Sequence, residues 1–334
     1  MTEVFYLPAI ATSKHWRVTT LVDKNLSRAQ RLAERFHVPA VAQDYRHIAG
    51  KAEAAIVAVP NYLHRQVTID LLKQGMHVLV EKPMALTGQE CDEMIRAAEE
   101  MGMVLAVGQV RRFYAASVFV KRFVDEGWLG KITSFDVREG GIFNWPVASD
   151  FFFHRETAGG GVLMDVGVHV LDLLLWWLGD YEAVDYYDDA WGGVEADCEL
   201  HLRLRNGADG IVELSRTRVL RNTYLLQGER GTLEIGIEPG SPIRLAIAGR
   251  SDVVLQGEAR RSESSNKERY WDAFRHQLED FACAIRDGRA PFVSGRQARQ
   301  TIELIETCYA RRQPLQYPWV FPQTSSTVAQ EVAR

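Results

Sequence analysis

Lys82 stands between a short apolar run and a proline, in the segment His77-Val78-Leu79-Val80-Glu81-Lys82-Pro83. Val78, Leu79 and Val80 have the composition of a buried strand. Pro83 pushes the residue before it out of helical geometry, so the strand is expected to stop at the lysine. Ligands of open α/β sheets gather at such carboxyl ends, which makes Lys82 a candidate catalytic amine. A solvated strand terminus reads the same way from this heptapeptide alone.

Gly159-Gly160-Gly161-Val162-Leu163-Met164-Asp165-Val166-Gly167-Val168-His169-Val170-Leu171-Asp172 forms a second group. Asp165, His169 and Asp172 fall at i, i+4 and i+7 and line one face of a helix, the first two roughly 6 Å apart along its axis. A histidine beside a carboxylate can take a proton near neutral pH, and glycines at the helix start allow close backbone approach. A hydrogen-bonded contact between helix and sheet accounts for the same three residues.

Pro60, Asn61 and His64 follow another apolar run, Ala54 to Val59, and suit a cofactor-facing role; a helix cap suits Asn61 equally. Phe143, Trp145 and Phe151 to Phe153 are loop-borne aromatics of the kind on which sugars stack, although core or interface packing also explains them.

These residues need a scaffold, and the pattern supplies one. Arg17 to Val22 reads as a strand ending at Asp23, followed by a helix from about Ser27 to Phe36. Ala54 to Val59 is a strand, a helix runs through Leu72 to a stop at Gly75, and the strand before Lys82 follows. Thr87 caps the next helix, with Glu90 placed for a capping box, and Val104 to Val107 is a further strand. This alternation implies a parallel sheet covered on both faces, over residues 1–108.

Beyond Gln109 the rhythm changes. A helix from Ala115 to Glu126, a strand at Ile132 to Val137 and an apolar helix near 162–178 precede strand-like runs at Cys198 to Leu204, Gly210 to Ser215, Tyr224 to Gln227 and Thr232 to Ile235. They predict an α/β domain with a mostly antiparallel sheet over 109–320, closed by helices at Trp271 to Asp287 and Arg296 to Arg311. The charged segment Arg260 to Arg269 reads as an exposed loop and 321–334 as a flexible tail.

A dinucleotide-binding sheet ordinarily opens with an apolar strand and a Gly-x-Gly-x-x-Gly turn. This sequence has neither: Met1 to Ile10 looks like the helix that follows such a turn. Asp23 occupies the position where an acidic residue takes the ribose hydroxyl. Gly159-Gly160-Gly161 comes too late and follows no convincing strand. In the order 3-2-1-4-5-6 the missing strand is central, so its absence leaves two unpaired edges. The expectation is a chain truncated at its start, or one that no longer binds dinucleotide in the usual way.

The 334 residues suffice for two cores, with 46% hydrophobic content. A net charge of -5, from 39 basic and 44 acidic residues spread along the chain, gives no basic field for nucleic acid or an anionic membrane. Cys91, Cys198, Cys283 and Cys308 form no CxxC pair, so neither a zinc cluster nor a dense disulfide framework is expected, and a reducing cytoplasm fits. Asp165, His169 and Asp172 would be costly at the centre of a bilayer, so Val162 to Leu178 is read as a buried helix. No signal peptide is read at the N-terminus.

Glu81-Lys82-Pro83 together with Gly-Gly-Gly-x-Leu-x-Asp-x-Gly-x-His-x-x-Asp resembles the Gfo/Idh/MocA family of nicotinamide-dependent oxidoreductases. Pro60-Asn61-x-x-His64, Gly75-Met76-His77-Val78, Gly130-Lys131-Ile132 and Gly228-Glu229-x-Gly231-Thr232-Leu233 add to the likeness, which runs from about Val4 to Arg311. The resemblance implies a Rossmann-type domain followed by an α/β domain with an open sheet, and a homodimer or homotetramer formed through that sheet. It implies hydride transfer between NAD or NADP and a hydroxyl-bearing carbon of a sugar, inositol or related polyol. Lys82, Asp165 and His169 match the family's catalytic lysine, aspartate and histidine. Lys82 would stabilise alkoxide charge and His169 would act as acid/base, with Asp165 orienting substrate or sharing the proton. Asp23, Pro60, Asn61, His64, Glu81 and Lys82 would face the cofactor, and Trp145, Asp165 and His169 the substrate. Asp23 favours NAD, while Lys24 keeps NADP open. Glycoside cleavage or epimerisation with NAD recycled in place, and a cofactor-free scaffold, are the alternatives.

Overall fold

The computed structural model describes residues 1–144, 147, 149–250, 252–255 and 266–316. Trp145 and the segment 321–334 lie outside the described residues. A π-helical turn, Thr2–Tyr6, runs into α1 (Leu7–Ala11), so the first residues are helical as expected. There follow β1 (Thr20–Val22), α2 (Leu26–Phe36), β2 (Ala40–Ala42), β3 (Ala54–Val57), α3 (His64–Lys73), β4 (His77–Glu81), α4 (Gly88–Met101) and β5 (Leu105–Gly108).

All pairings in this half are parallel, but the strands form two sheets, β1-β2 and β3-β4-β5. Among the described residues no strand joins β1 to β3. The break falls where the order 3-2-1-4-5-6 places its first strand, so the two expected unpaired edges are present.

Local chemistry accounts for the element ends. Asn25 accepts the Arg28 N–H at 3.1 Å to start α2, and His37, at φ 56°, stops it in the left-handed region. Thr87 accepts the Glu90 N–H at 3.2 Å, but the Glu90 carboxylate reaches the Leu86 N–H at 2.9 Å, so the expected capping box is displaced by one residue.

β4 is the most enclosed strand of this half. Val78 and Val80 pack into a core with Leu71 and Leu72 of α3 and Met94 and Ile95 of α4. Leu79 points the other way, into a cluster with Tyr6, Ala9, Phe274, Leu278 and Phe281. Its near-continuous apolar sequence is what a parallel strand covered on both faces requires.

The second half contains α5 (Ala115–Asp125), β6 (Ile132–Gly140), α6 (Arg155–Ala158), a π-helical turn Leu163–Gly167, α7 (Val168–Leu178), β7 (Tyr181–Asp188), β8 (Asp197–Leu204), β9 (Asp209–Ser215), β10 (Thr223–Gly228), β11 (Gly231–Gly236), β12 (Ile243–Ile247), β13 (Val253–Leu255), α8 (Asn266–Asp287), α9 (Gly295–Ala310) and β14 (Arg312–Pro314). The strands form a nine-stranded sheet of order β13-β12-β11-β10-β6-β9-β8-β7-β14. Among the described residues of this half only β6–β9 and β14–β7 are parallel pairs.

One face of that sheet, with Val137, Leu200, Leu202, Val212, Leu214 and Leu226, packs with Leu171, Leu174 and Trp177 of α7. The apolar stretch Arg155–Leu178 passes a length-and-composition test for a membrane span, yet most of it is buried inside the protein. The strands at Tyr181, Ile243, Val253 and Arg312 were not foreseen in the sequence. α8 begins at Asn266, so the charged segment expected as a loop is helical from there on.

α8 also crosses between the halves. Phe5 stacks on Phe274 with centroids 4.8 Å apart, Trp16 stacks on Phe281 at 5.4 Å, and Trp16 Nε1 donates to the Leu278 carbonyl at 2.8 Å.

Candidate active site

β4 delivers Lys82 to the carboxyl end of its sheet, and the turn before α7 brings Asp165 to meet it. Lys82 Nζ donates to Asp165 Oδ1 at 2.7 Å and to the Asp165 carbonyl at 2.9 Å. The Lys82–Pro83 peptide is cis. The second carboxylate oxygen of Asp165 pairs with Arg216, directly after β9. The Arg216 guanidinium lies over the Phe143 ring, 5.5 Å from its centroid. One carboxylate therefore joins two cations from different elements.

His169 lies beyond this pair on α7. Gln109 Nε2 donates to the Val168 carbonyl at 3.2 Å, which turns Oε1 toward His169 Nδ1 at 3.0 Å. An amide oxygen only accepts, so Nδ1 carries the proton and Nε2 of the neutral ring is the basic nitrogen. Burial holds the His169 pKa well below the usual imidazole value, with the charges of Lys82 and Arg111 acting the same way.

Burial likewise brings Lys82 down to about 8; Glu81 and Glu139 oppose this, while Arg111 and Arg216 add to it. Arg111 is itself engaged, making two 2.7 Å bonds to Glu139 and donating to the Tyr224 hydroxyl at 3.3 Å. The site is a low-dielectric cluster in which an amine and an imidazole titrate close to, or below, neutrality.

The remaining candidates fall in other places. Asp172 is bound by Arg112 through bonds of 2.7 and 2.8 Å, with both side chains almost fully buried, so it braces α7 and does not join Asp165 and His169. His64 is buried, with Nδ1 2.7 Å from the Pro83 carbonyl and Nε2 2.9 Å from the Val59 carbonyl. Both ring nitrogens face backbone carbonyls just past β3 and β4, and the neutral ring donates to one of them. Asn61 caps nothing; its Nδ2 donates to the Ala158 carbonyl at 2.8 Å, and Pro60 precedes the short turn Asn61–Leu63. Asp23 is held by Arg28 at 2.7 and 2.9 Å and accepts the Asn25 N–H at 2.8 Å. Glu81 Oε1 accepts the Tyr6 hydroxyl at 2.5 Å.

The glycine triplet is a packing device. A Cβ on Gly160 would lie 1.8 Å from the Tyr309 hydroxyl, and one on Gly161 would lie 1.9 Å from the Glu195 carbonyl oxygen. Glu195 Oε1 accepts the Gly161 and Leu163 N–H groups at 2.9 and 3.0 Å and the Tyr309 hydroxyl at 2.8 Å. The start of the helical segment is thereby pinned, which fixes where Asp165 points.

Arg216, Gln109, Arg111 and Glu195 are site residues that sequence reading passed over. Arg216 leaves the end of β9, where Ser215 pairs in register with Gly140, the last residue of β6.

Comparison with known proteins shows the family of the chain. A family model described as an oxidoreductase family with an NAD-binding Rossmann fold matches residues 1–109, and the GFO/IDH/MocA C-terminal domain matches 118–234. The chain belongs to the Gfo/Idh/MocA oxidoreductase family. Levoglucosan dehydrogenase from Pseudarthrobacter phenanthrenivorans is 27% identical over 280 residues, covering 73% of this chain and 70% of that protein. D-glucoside 3-dehydrogenase from Escherichia coli is 34% identical over 173 residues, covering 50% of this chain and 48% of the relative, so the match spans about half of each. Among solved structures, aldose-aldose oxidoreductase from Caulobacter crescentus, complexed with glycerol, superposes with a TM-score of 0.80 at 26% identity over 91% of this chain and 92% of the other. Levoglucosan dehydrogenase in complex with NADH and levoglucosan shares the fold, with a TM-score of 0.80 at 23% identity over 91% and 94% of the chains.

In this Gfo/Idh/MocA chain Asp23 follows β1, and Lys82 follows β4 on the other side of the break between the two sheets. No glycine-rich turn that could cradle a pyrophosphate lies between a strand and a helix among the described residues.

Proposed function

We propose that the chain transfers a hydride between NAD(P) and a hydroxyl-bearing carbon of a sugar, inositol or related polyol. The ion pair of Lys82 with Asp165, with His169 beside it, carries this reading. Relatives named for levoglucosan, D-glucoside and 1,5-anhydro-D-fructose support the substrate class.

In this reading the neutral His169 takes the substrate hydroxyl proton on Nε2, while Nδ1–H stays on Gln109. Lys82, as the ammonium, steadies the negative charge that develops on that oxygen, and Asp165 holds Lys82 in line. Arg216 holds the second carboxylate oxygen of Asp165. A bound nicotinamide would supply the hydride acceptor. NAD is favoured over NADP because the Asp23 carboxylate repels a 2′-phosphate.

A homodimer or homotetramer would form through the outer face of the nine-stranded sheet. That face carries charge ladders, with Arg138 bonded to Asp136 at 3.0 Å and to Glu213 at 2.5 Å, and a hollow of about 590 Å³ bordered by Asp136, Asp185, His201, Arg203 and Asp209. The four cysteines are free thiols, which suits a cytoplasmic location.

A cofactor-free scaffold is the second reading. Calorimetric titration with NAD+ and NADH, followed by sugar turnover monitored as NADH absorbance, separates the readings. Saturable binding with NADH accumulation supports the dehydrogenase. Binding with sugar conversion but no NADH points to cofactor recycling, and absence of binding to the scaffold.

A further inference from the structure

The Tyr6 hydroxyl donates to Glu81 Oε1 across 2.5 Å, linking the N-terminal helical turn to the end of β4. Both residues are buried, at 1% and 5% exposure. The other carboxylate oxygen, Oε2, accepts the backbone N–H of Lys82 at 3.2 Å. Gln277 of α8 donates from Nε2 to the Tyr6 oxygen at 3.0 Å. Room for the carboxylate comes from Gly108, its register partner on β5, where a Cβ would sit 3.2 Å from Glu81 Cδ and Oε1. Three elements and a cleared space thus converge on the carboxylate that precedes Lys82.

We propose that Tyr6 is a positioning residue for Lys82: its hydroxyl, steadied by Gln277, holds the Glu81 carboxylate against the Lys82 amide as a buried counterion to that lysine. The proposal rests on the reading of Lys82 as the charge-bearing group of the site. A buried carboxylate without donors takes up a proton and ceases to be a counterion. Here burial pushes the Glu81 pKa up, and the Tyr6 hydroxyl, the Lys82 charge and the Lys82 amide oppose it. Lys82 in turn faces Glu81 on its own strand, Asp165 before α7, Arg111 after β5, Glu139 on β6, Arg216 after β9 and His64 on α3. Glu81 favours the ammonium, whereas Arg111 and Arg216 disfavour it. Loss of the Tyr6 donor therefore weakens the ammonium form. Through this bond the position of the N-terminal helix becomes a determinant of the charge on Lys82.

The test measures the acetylation rate of Lys82 across a pH series by peptide mass spectrometry, on the chain without substrate or cofactor. Wild type is expected to show a midpoint at about 8. Tyr6→Phe is expected to lower that midpoint by about one pH unit, and Glu81→Gln by at least as much, since one nearby opposite charge is worth that order of shift. A Tyr6→Phe midpoint equal to wild type overturns the proposal, whether or not Glu81→Gln shifts. If Tyr6→Phe shows no cooperative thermal transition, Gln277→Met, which removes only the donor that polarises Tyr6, carries the test: a downward shift supports the role and an unchanged midpoint overturns it. The measurement needs no turnover, so a failure of the dehydrogenase reading leaves its outcome intact.

Discussion

Lys82 Nζ and Asp165 Oδ1 are 2.7 Å apart although 83 residues separate them in the chain. The contact joins the parallel sheet of the first half to the helix that covers the antiparallel sheet of the second. Asp165 also binds Arg216, so one carboxylate couples three segments: the end of β4, the turn before α7 and the end of β9. Such a pair needs both halves folded before it exists, and its state is sensitive to charges contributed by each.

The pH dependence of sugar oxidation follows from that geometry. His169 is held neutral below the usual imidazole range, so its basic form is available at neutral pH. Lys82 must be charged to stabilise the developing alkoxide and has its pKa lowered to about 8. The rate of oxidation is expected to fall as pH rises through about 8. Arg216→Leu removes a cation that disfavours the ammonium and frees Asp165 for Lys82 alone, so the falling limb moves to higher pH. Steady-state kcat against pH for wild type and variant checks the sign; a limb that moves down, or stays, contradicts the argument.

The glycine triplet is expected to be intolerant of a single methyl group. Gly160→Ala places Cβ 1.8 Å from the Tyr309 hydroxyl, and Gly161→Ala places it 1.9 Å from a backbone oxygen. Tyr309 can swing aside whereas the Glu195 backbone cannot, so Gly161→Ala is the more damaging. Overpacking of this kind costs about 1–3 kcal/mol or more. Gly141→Ala, which meets nothing within 4 Å, is the control and leaves the melting temperature unchanged. Thermal denaturation of the three variants ranks them.

Asp172 and Arg112 form a buried pair that serves stability. Removing one partner strands the other charge, which costs about 3–5 kcal/mol. Asp172→Ala is expected to lower the denaturant midpoint markedly, whereas the double change Asp172→Leu with Arg112→Met recovers much of the loss. Chemical denaturation of both variants measures the difference.

Much of the scaffold was legible because its period is regular. β4 and β9 read as strands from their apolar content, and α4 from its Thr87 cap. β7 was hidden because one of its inward positions is Asp188, an acid held there by Arg312 at 2.5 Å and by the Ala190 N–H at 3.0 Å. β14 was hidden because Arg312, Gln313 and Pro314 are all exposed and none is a strand former, and pairing with β7 makes them a strand. In the site, Lys82 was legible because a proline marked the strand end. Arg216 had no such mark, and Gln109 is uncharged, so neither suggested chemistry until folding placed them against Asp165 and His169. The i, i+4, i+7 spacing overreached at Asp172, since Arg112, which claims it, comes from a different part of the chain.

The central claim is that the Lys82 ammonium stabilises charge on the substrate oxygen during hydride transfer. It is tested most directly by pre-steady-state NADH formation from a turned-over sugar, comparing wild type with Lys82→Ala at pH 7 and confirming equal thermal stability. A loss of about 100-fold or more in the rate of NADH formation, with NAD+ affinity little changed, is the predicted result. Wild-type rates from a folded Lys82→Ala protein would contradict it.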